Sequence, residues 1–165
     1  MIRYEGAARR LGDNVNTDYI ISSRRKRDTL NEKELCKYLM EDIDPSFAGR
    51  LQAGDIIVAG SNFGCGSAME IAALVIRGAG IPAVVAKSFS RTFYRNAFNN
   101  GILLVTIDTT EIMENDRVEI GLDIDGISVI VNGVAAGKCA PLTETMMQII
   151  LRGGIVEYIK EHGGL

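Results

Sequence analysis

Apolar positions in this chain come in short blocks, and the blocks are of two alternating kinds. Ile56-Ile57-Val58-Ala59, Ala83-Val84-Val85-Ala86 and the stretch Ile102 to Ile107 are compact runs rich in β-branched residues, the pattern of strands buried on both faces of a parallel sheet. Between them, Ala68 to Arg77 and Phe89 to Asn99 read as helices, the first stopped by Gly78 and Gly80. This β-α-β-α-β order predicts a parallel sheet with right-handed crossovers. Beyond it, Arg117 to Leu122 and Ile127 to Val131 flank Asp125-Gly126, the signal of an antiparallel hairpin. A last helix is expected over Leu142 to Leu151, ending at Gly153-Gly154. About the first fifty residues read as irregular and polar. They hold turn chemistry in Gly12-Asp13-Asn14-Val15-Asn16-Thr17-Asp18, a basic run Arg24-Arg25-Lys26-Arg27, and one helix from about Asn31 to Glu41. The expected class is α/β, a partly parallel sheet with flanking helices and an added antiparallel hairpin.

Composition narrows the function more than the fold. A chain of 165 residues suits one domain, taken as 1–165, and 47% apolar with 24% charged residues is the balance of a soluble globular protein. No apolar run approaches the ~18 residues of a membrane span, and Met1-Ile2-Arg3-Tyr4-Glu5 is no signal peptide. Eighteen Lys+Arg against twenty-one Asp+Glu leave a net charge of -3, which argues against nucleic acid as a partner. The one histidine, His162, sits in a C-terminal tail expected to be mobile, so a His-based metal site or a Ser-His-Asp triad is disfavoured. Cys36, Cys65 and Cys139 are odd in number and far apart, and make neither a disulfide framework nor a zinc or iron–sulfur spacing. Reduced thiols in a cytoplasmic protein, with no metal on this chain, are expected.

Gly60-Ser61-Asn62-Phe63-Gly64-Cys65-Gly66-Ser67-Ala68-Met69-Glu70 lies between a strand and a helix. Glycines let backbone approach a ligand closely, and a strand-to-helix turn aims free N–H groups at whatever binds. An anionic group is the natural guest, although the loop is neither a Walker loop nor a GxGxxG fingerprint. Ser67 has two readings. With Glu70 it forms a Ser-x-x-Glu capping box; alternatively it is a general base or nucleophile activated by something other than histidine. Cys65 is either a thiol activated at a helix N-terminus or a small packed residue, and packing is the preferred reading. The basic run is either a solvated stretch or a mobile carboxylate clamp built on the bidentate fork of arginine.

The loop Gly60 to Ser67 resembles the signature of the small subunits of 3-isopropylmalate dehydratase and their homoaconitase relatives, in the aconitase superfamily. The likeness extends to Asp13-Asn14-Val15-Asn16-Thr17-Asp18, Pro45-Ser46-Phe47, Gly54 to Gly60, Lys87-Ser88-Phe89-Ser90-Arg91-Thr92-Phe93-Tyr94-Arg95-Asn96 and Gly153-Gly154, in order along nearly the whole chain. The resemblance implies a swivelling β/β/α domain docked on a large subunit, as a heterodimer or heterotetramer, with a [4Fe-4S] cluster on that partner. It implies dehydration and rehydration of a malate-type dicarboxylate hydroxy acid, with 3-isopropylmalate in leucine biosynthesis first in line. Carried over, Ser67 is the catalytic base and Asp18 a supporting acid. Gly64, Cys65, Gly66, Ala68 and Met69 line the substrate, and the N–H groups of Gly66 to Ala68 form an oxyanion environment.

Two departures bear on the substrate. The family continues its signature serine with Ser-Arg-Glu, where this chain has Ala68-Met69-Glu70, and the missing arginine normally binds a substrate carboxylate. The family's Tyr-Leu-x-x specificity stretch is Arg25-Lys26-Arg27-Asp28 here, so Arg24, Arg25, Lys26 and Arg27 are expected to restore the lost charge from a flexible loop. Homoaconitase and a 2,3-dimethylmalate or citramalate-type dehydratase are the alternative enzymes. A non-catalytic assembly partner and an independent anion-binding module are the alternatives of other classes.

Overall fold

A computed structural model of the chain describes residues 2–29 and 31–164, without the side chains of Lys26 and Asp28. Its centre is a strand that the apolar pattern does not announce. β1 (Ile2–Arg10) runs antiparallel to β5 (Arg117–Asp123) over residues 2–7, then parallel to β2 (Ile56–Ala59) through Ala8, Arg9 and Arg10. With β3 (Ala83–Ala86), β4 (Leu103–Thr106), β6 (Gly126–Val131) and β7 (Val134–Cys139) it makes a seven-stranded sheet of order β4-β3-β2-β1-β5-β6-β7. The β1 to β4 half is parallel and the rest antiparallel.

The parallel strands are buried on both faces, as their unbroken apolar runs require. Ile57, Ala59, Val84, Ala86 and Leu104 pack against α5 (Glu70–Gly78), α6 (Arg91–Asn99) and the short N-terminal helices α1 (Thr17–Ile20), α3 (Glu32–Leu35) and α4 (Phe47–Arg50). Ile56, Val58, Val85, Leu103 and Val105 pack against Val118, Ile120, Leu122, Ile127 and Val129 of the antiparallel half. The layering is therefore β/β/α. Helices α5, α6 and α7 (Glu144–Leu151) end alike, with paired amide bonds closing on Gly80, Gly101 and Gly153.

Besides the short helices that break up the first fifty residues, four elements differ from the sequence reading. Residues 2–10 are strand, because Arg9 is neutralised by a buried partner, Asp55. The expected 31–41 helix breaks into α3 and a 3-10 turn over Cys36–Tyr38, and a sharp corner follows at Met40 (φ 60°). The hairpin gains a third strand, β7, and a further helix, α8 (Ile155–His162), follows the double glycine. His162 is thus helical, its ring stacked on Tyr158 at 4.3 Å.

Candidate functional site

The loop after β2 is pinned between two neighbours. On one side Asp13 Oδ1 accepts from the Ser61 amide (2.6 Å), the Gly64 amide donates to Val15 O (2.8 Å), and the Thr17 amide donates to Cys65 O (2.8 Å). Thr17 Oγ1 donates to Ser67 O at 3.0 Å. On the other side the Phe63 amide donates to Ser88 O (3.0 Å), Ser88 Oγ accepts from the Asn62 amide (2.8 Å), and Ser90 Oγ donates to Gly64 O (2.7 Å). Phe63 anchors the loop beneath, fully buried and edge-on to Phe93 at 5.2 Å.

Glycine is required twice here. Gly64 (φ +76°) would place a Cβ 2.2 Å from the Phe93 ring, and Gly66 (φ +95°) would place one 2.5 Å from Asn16 Oδ1. Asn16 is itself the cap of α1, its Oδ1 accepting from the Asp18 amide at 2.9 Å. So Gly66 brings the signature loop against the turn that carries Asp18. Asp18 is half-buried, and its carboxylate has no hydrogen-bond or ion-pair partner among the described residues. Ser67 and Ala68 are exposed and Cys65 half-buried. Among the described residues, no acceptor takes the amides of Gly66, Ser67 or Ala68, which leaves three successive donors at one surface.

Two positions depart from expectation. Ser67 is not a helix cap: α5 starts at Glu70, its N-cap is Met69, and no side chain caps it. Ala68 and Met69 separate Ser67 from the helix, Met69 in extended backbone, and Thr17 holds Ser67 O. Met69 faces inward, 9% exposed and packed in the core on the helix side of the sheet. Its length suits burial, which removes its side chain from the exposed surface of Ser67 and Ala68.

The basic run also differs from a loose loop. Arg25 to Asp28 form the short helix α2 (Arg25–Asp28). Arg24 pairs with Asp42 (3.0 Å), and Arg25 grips both Glu41 oxygens (2.8 and 2.8 Å) with its guanidinium 3.7 Å over the Tyr38 ring. Arg27 is exposed and pairs with no described residue; the side chain of Lys26 lies outside the described structure. The residues that sequence reasoning missed are Thr17, Ser88 and Ser90, which hold the loop. All three lie inside the motifs quoted above, and hydroxyls flanking a glycine loop are the signal that marks them.

No group of three or more His, Cys, Asp or Glu that could hold a metal ion occurs among the described residues. Cys36 Sγ donates to Glu32 O (2.9 Å) and Cys139 Sγ to Thr106 O (2.9 Å), while Cys65 lies in the signature loop. Burial pushes both the Cys36 and Cys139 thiols up, with Glu32 adding to the effect at Cys36. These residues do not fit an iron–sulfur cluster.

Residues 11–110 match the Aconitase C-terminal domain. The 3-isopropylmalate dehydratase small subunit 2 of Archaeoglobus fulgidus is 42% identical over 163 residues, covering 97% of this chain and 96% of that protein. The chain belongs to the 3-isopropylmalate dehydratase small-subunit family. Within the wider aconitase group, the methanogen homoaconitase small subunit of Methanocaldococcus jannaschii is 44% identical over 157 residues, covering 95% of this chain and 91% of that protein. The crystal structure of the 3-isopropylmalate dehydratase of Methanocaldococcus jannaschii superposes with a TM-score of 0.90 at 39% identity, covering 98% of this chain and 96% of that one. The β/β/α layering described above is thus the architecture of this small-subunit family, with β1 as the strand shared by both sheets.

Proposed function

We propose that this chain is the swivelling small subunit of a hydro-lyase that isomerises 3-isopropylmalate and 2-isopropylmalate in leucine biosynthesis, in the cytoplasm. A large subunit is its partner and carries the [4Fe-4S] cluster, which supplies the Lewis acid. The observation that carries the reading is the junction of Gly66 with Asn16 and of Thr17 Oγ1 with Ser67 O, which brings the loop of exposed Ser67 and its three open amides against the turn that carries the unpaired Asp18. Ser67 Oγ, as the alkoxide, takes the proton α to a substrate carboxylate and so returns to the hydroxyl. The amides of Gly66, Ser67 and Ala68 face the negative charge that develops there. Asp18 is the acid that supports this base, and Arg27 offers a fork to a second carboxylate.

The exposed Arg27 also favours a second reading. An isopropylmalate presents an apolar branch, whereas a homoaconitate-type substrate presents a carboxylate arm that would suit this cation. Purification with the large subunit, followed by hydration and dehydration assays on both substrates and on 2,3-dimethylmalate and citramalate, tests the two. Turnover of 3-isopropylmalate above the others is expected. Preference for the tricarboxylate selects the second reading, and turnover of neither by a cluster-loaded pair excludes both.

A further inference from the structure

The basic run has consecutive acids set against it. Met40 is fully buried in a left-handed conformation (φ 60°) that side-chain-bearing residues seldom adopt, and its amide donates to Ile20 O, at the end of α1, at 3.0 Å. The amides of Ile43 and Asp44 both return to Met40 O at 2.9 Å. This corner turns Glu41 and Asp42 toward Arg25 and Arg24 respectively. The two pairs are unequal. Arg24–Asp42 is a single contact between side chains 71% and 37% exposed, a class of pair that holds little. Arg25–Glu41 is bidentate, 32% and 18% exposed, and roofed over Tyr38. The Arg25 guanidinium keeps the Glu41 carboxyl below the usual carboxylate range. Two residues past this anchor stands Arg27, which pairs with no described residue.

We propose that Glu41 and Tyr38 are positioning residues that fix α2 through Arg25, so that Arg27 meets the substrate carboxylate from a segment already ordered. This rests on the reading of residues 24–27 as substrate-facing. A long cation on an unanchored loop spends part of its interaction on ordering the loop. One on a fixed helix does not, and the difference shows in substrate affinity. Arg25 then acts through Glu41 and does not touch substrate.

The test is a double-mutant cycle in the assembled enzyme, with the malate derivative that the unmutated pair turns over best. Glu41→Ala and Arg25→Ala should each raise KM about tenfold and leave kcat within about twofold. The double variant should be no worse than Arg25→Ala alone, since Glu41 acts through Arg25. A merely structural role predicts a lower melting temperature and a smaller active fraction with KM unmoved. Additive losses, which make Arg25 a substrate contact in its own right, overturn the proposal. So does an unchanged KM in Glu41→Ala while Arg27→Ala raises it. If Arg27→Ala leaves KM unaltered for every substrate turned over, the substrate-facing reading of the segment fails first, and the positioning role goes with it.

Discussion

The hydroxyl of Ser67 bonds to nothing in the described chain and caps no helix, so under the proposed function its removal takes away chemistry without taking away structure. Ser67→Ala should abolish turnover of the assembled enzyme while its stability stays within about 0.5 kcal/mol of the parent, the range of exposed substitutions free of special contacts. Activity within a few-fold of the parent would remove Ser67 from the mechanism. The neighbouring position behaves in the opposite way. Gly66→Ala puts a methyl group 2.5 Å from Asn16 Oδ1 and asks alanine for φ +95°. Strain of this kind costs about 1–3 kcal/mol. Because Asn16 also caps the turn of Asp18, both melting temperature and kcat/KM should fall in this variant. Thermal melts and steady-state assays on the two variants separate a chemical role from a conformational one.

Among the short elements, the stretch from Asp44 to Arg50 is held by charge. Asp44 accepts from the Ser46 amide (2.9 Å) and hydroxyl (2.7 Å) and from Arg50. These bonds, Ser46 first and Arg50 second, lower its pKa to about 2. A carboxyl depressed in the folded state stabilises above its unfolded pKa of about 3.9, and that contribution is lost as pH falls through the folded value. Between about pH 4 and 2 the melting temperature of the parent should therefore fall more steeply than that of Asp44→Asn, and the two curves should converge at the acid end. Parallel curves across that window would show that Asp44 is not linked to folding. Legibility in the sequence also divides by element. The strands β2 to β6 and the helices α5 to α7 are readable because strong local periodicity and glycine stops coincide with their ends. β1 is not, because Gly6-Ala7-Ala8-Arg9-Arg10 has no apolar run and becomes a central strand through partners more than forty residues away. β7 is an edge strand of small, mostly exposed residues, and α8 lies beyond a double glycine that reads as an end. The signature loop was readable because glycine and Asx chemistry is local. The pairing of Arg25 with Glu41 was not, since it depends on the corner at Met40.

Across the whole molecule, β1 is the strand that makes two sheets one, and its last turn of pairing depends on a buried charge. Arg9 and Asp55, 8% and 5% exposed, meet at 2.6 Å. Asp55 also accepts from the Gln52 amide at 2.8 Å, and Arg9 Nη1 donates to Asn115 Oδ1 at 2.7 Å. The pair thereby joins β1, the turn before β2 and the turn before β5, the three places where the parallel and antiparallel halves meet. Taking Arg9 away leaves Asp55 charged and dry with the Gln52 amide alone, at a cost of about 3–5 kcal/mol, whereas taking Asp55 away costs less because Arg9 keeps Glu114 at 3.5 Å. For a chain of this size the larger loss corresponds to a fall of roughly 6–20 °C in melting temperature, expected for Arg9→Met, with a smaller fall for Asp55→Ala. Replacing both by apolar residues of similar volume, as in Arg9→Met with Asp55→Leu, removes the unpaired charge and should recover much of the loss. Because β1 belongs to both halves, every one of these variants should still unfold in a single transition, with near-ultraviolet and far-ultraviolet signals coinciding. A variant in which the antiparallel half melts apart from the parallel one would show that the shared strand does not couple them. The domain would then unfold as two units rather than one.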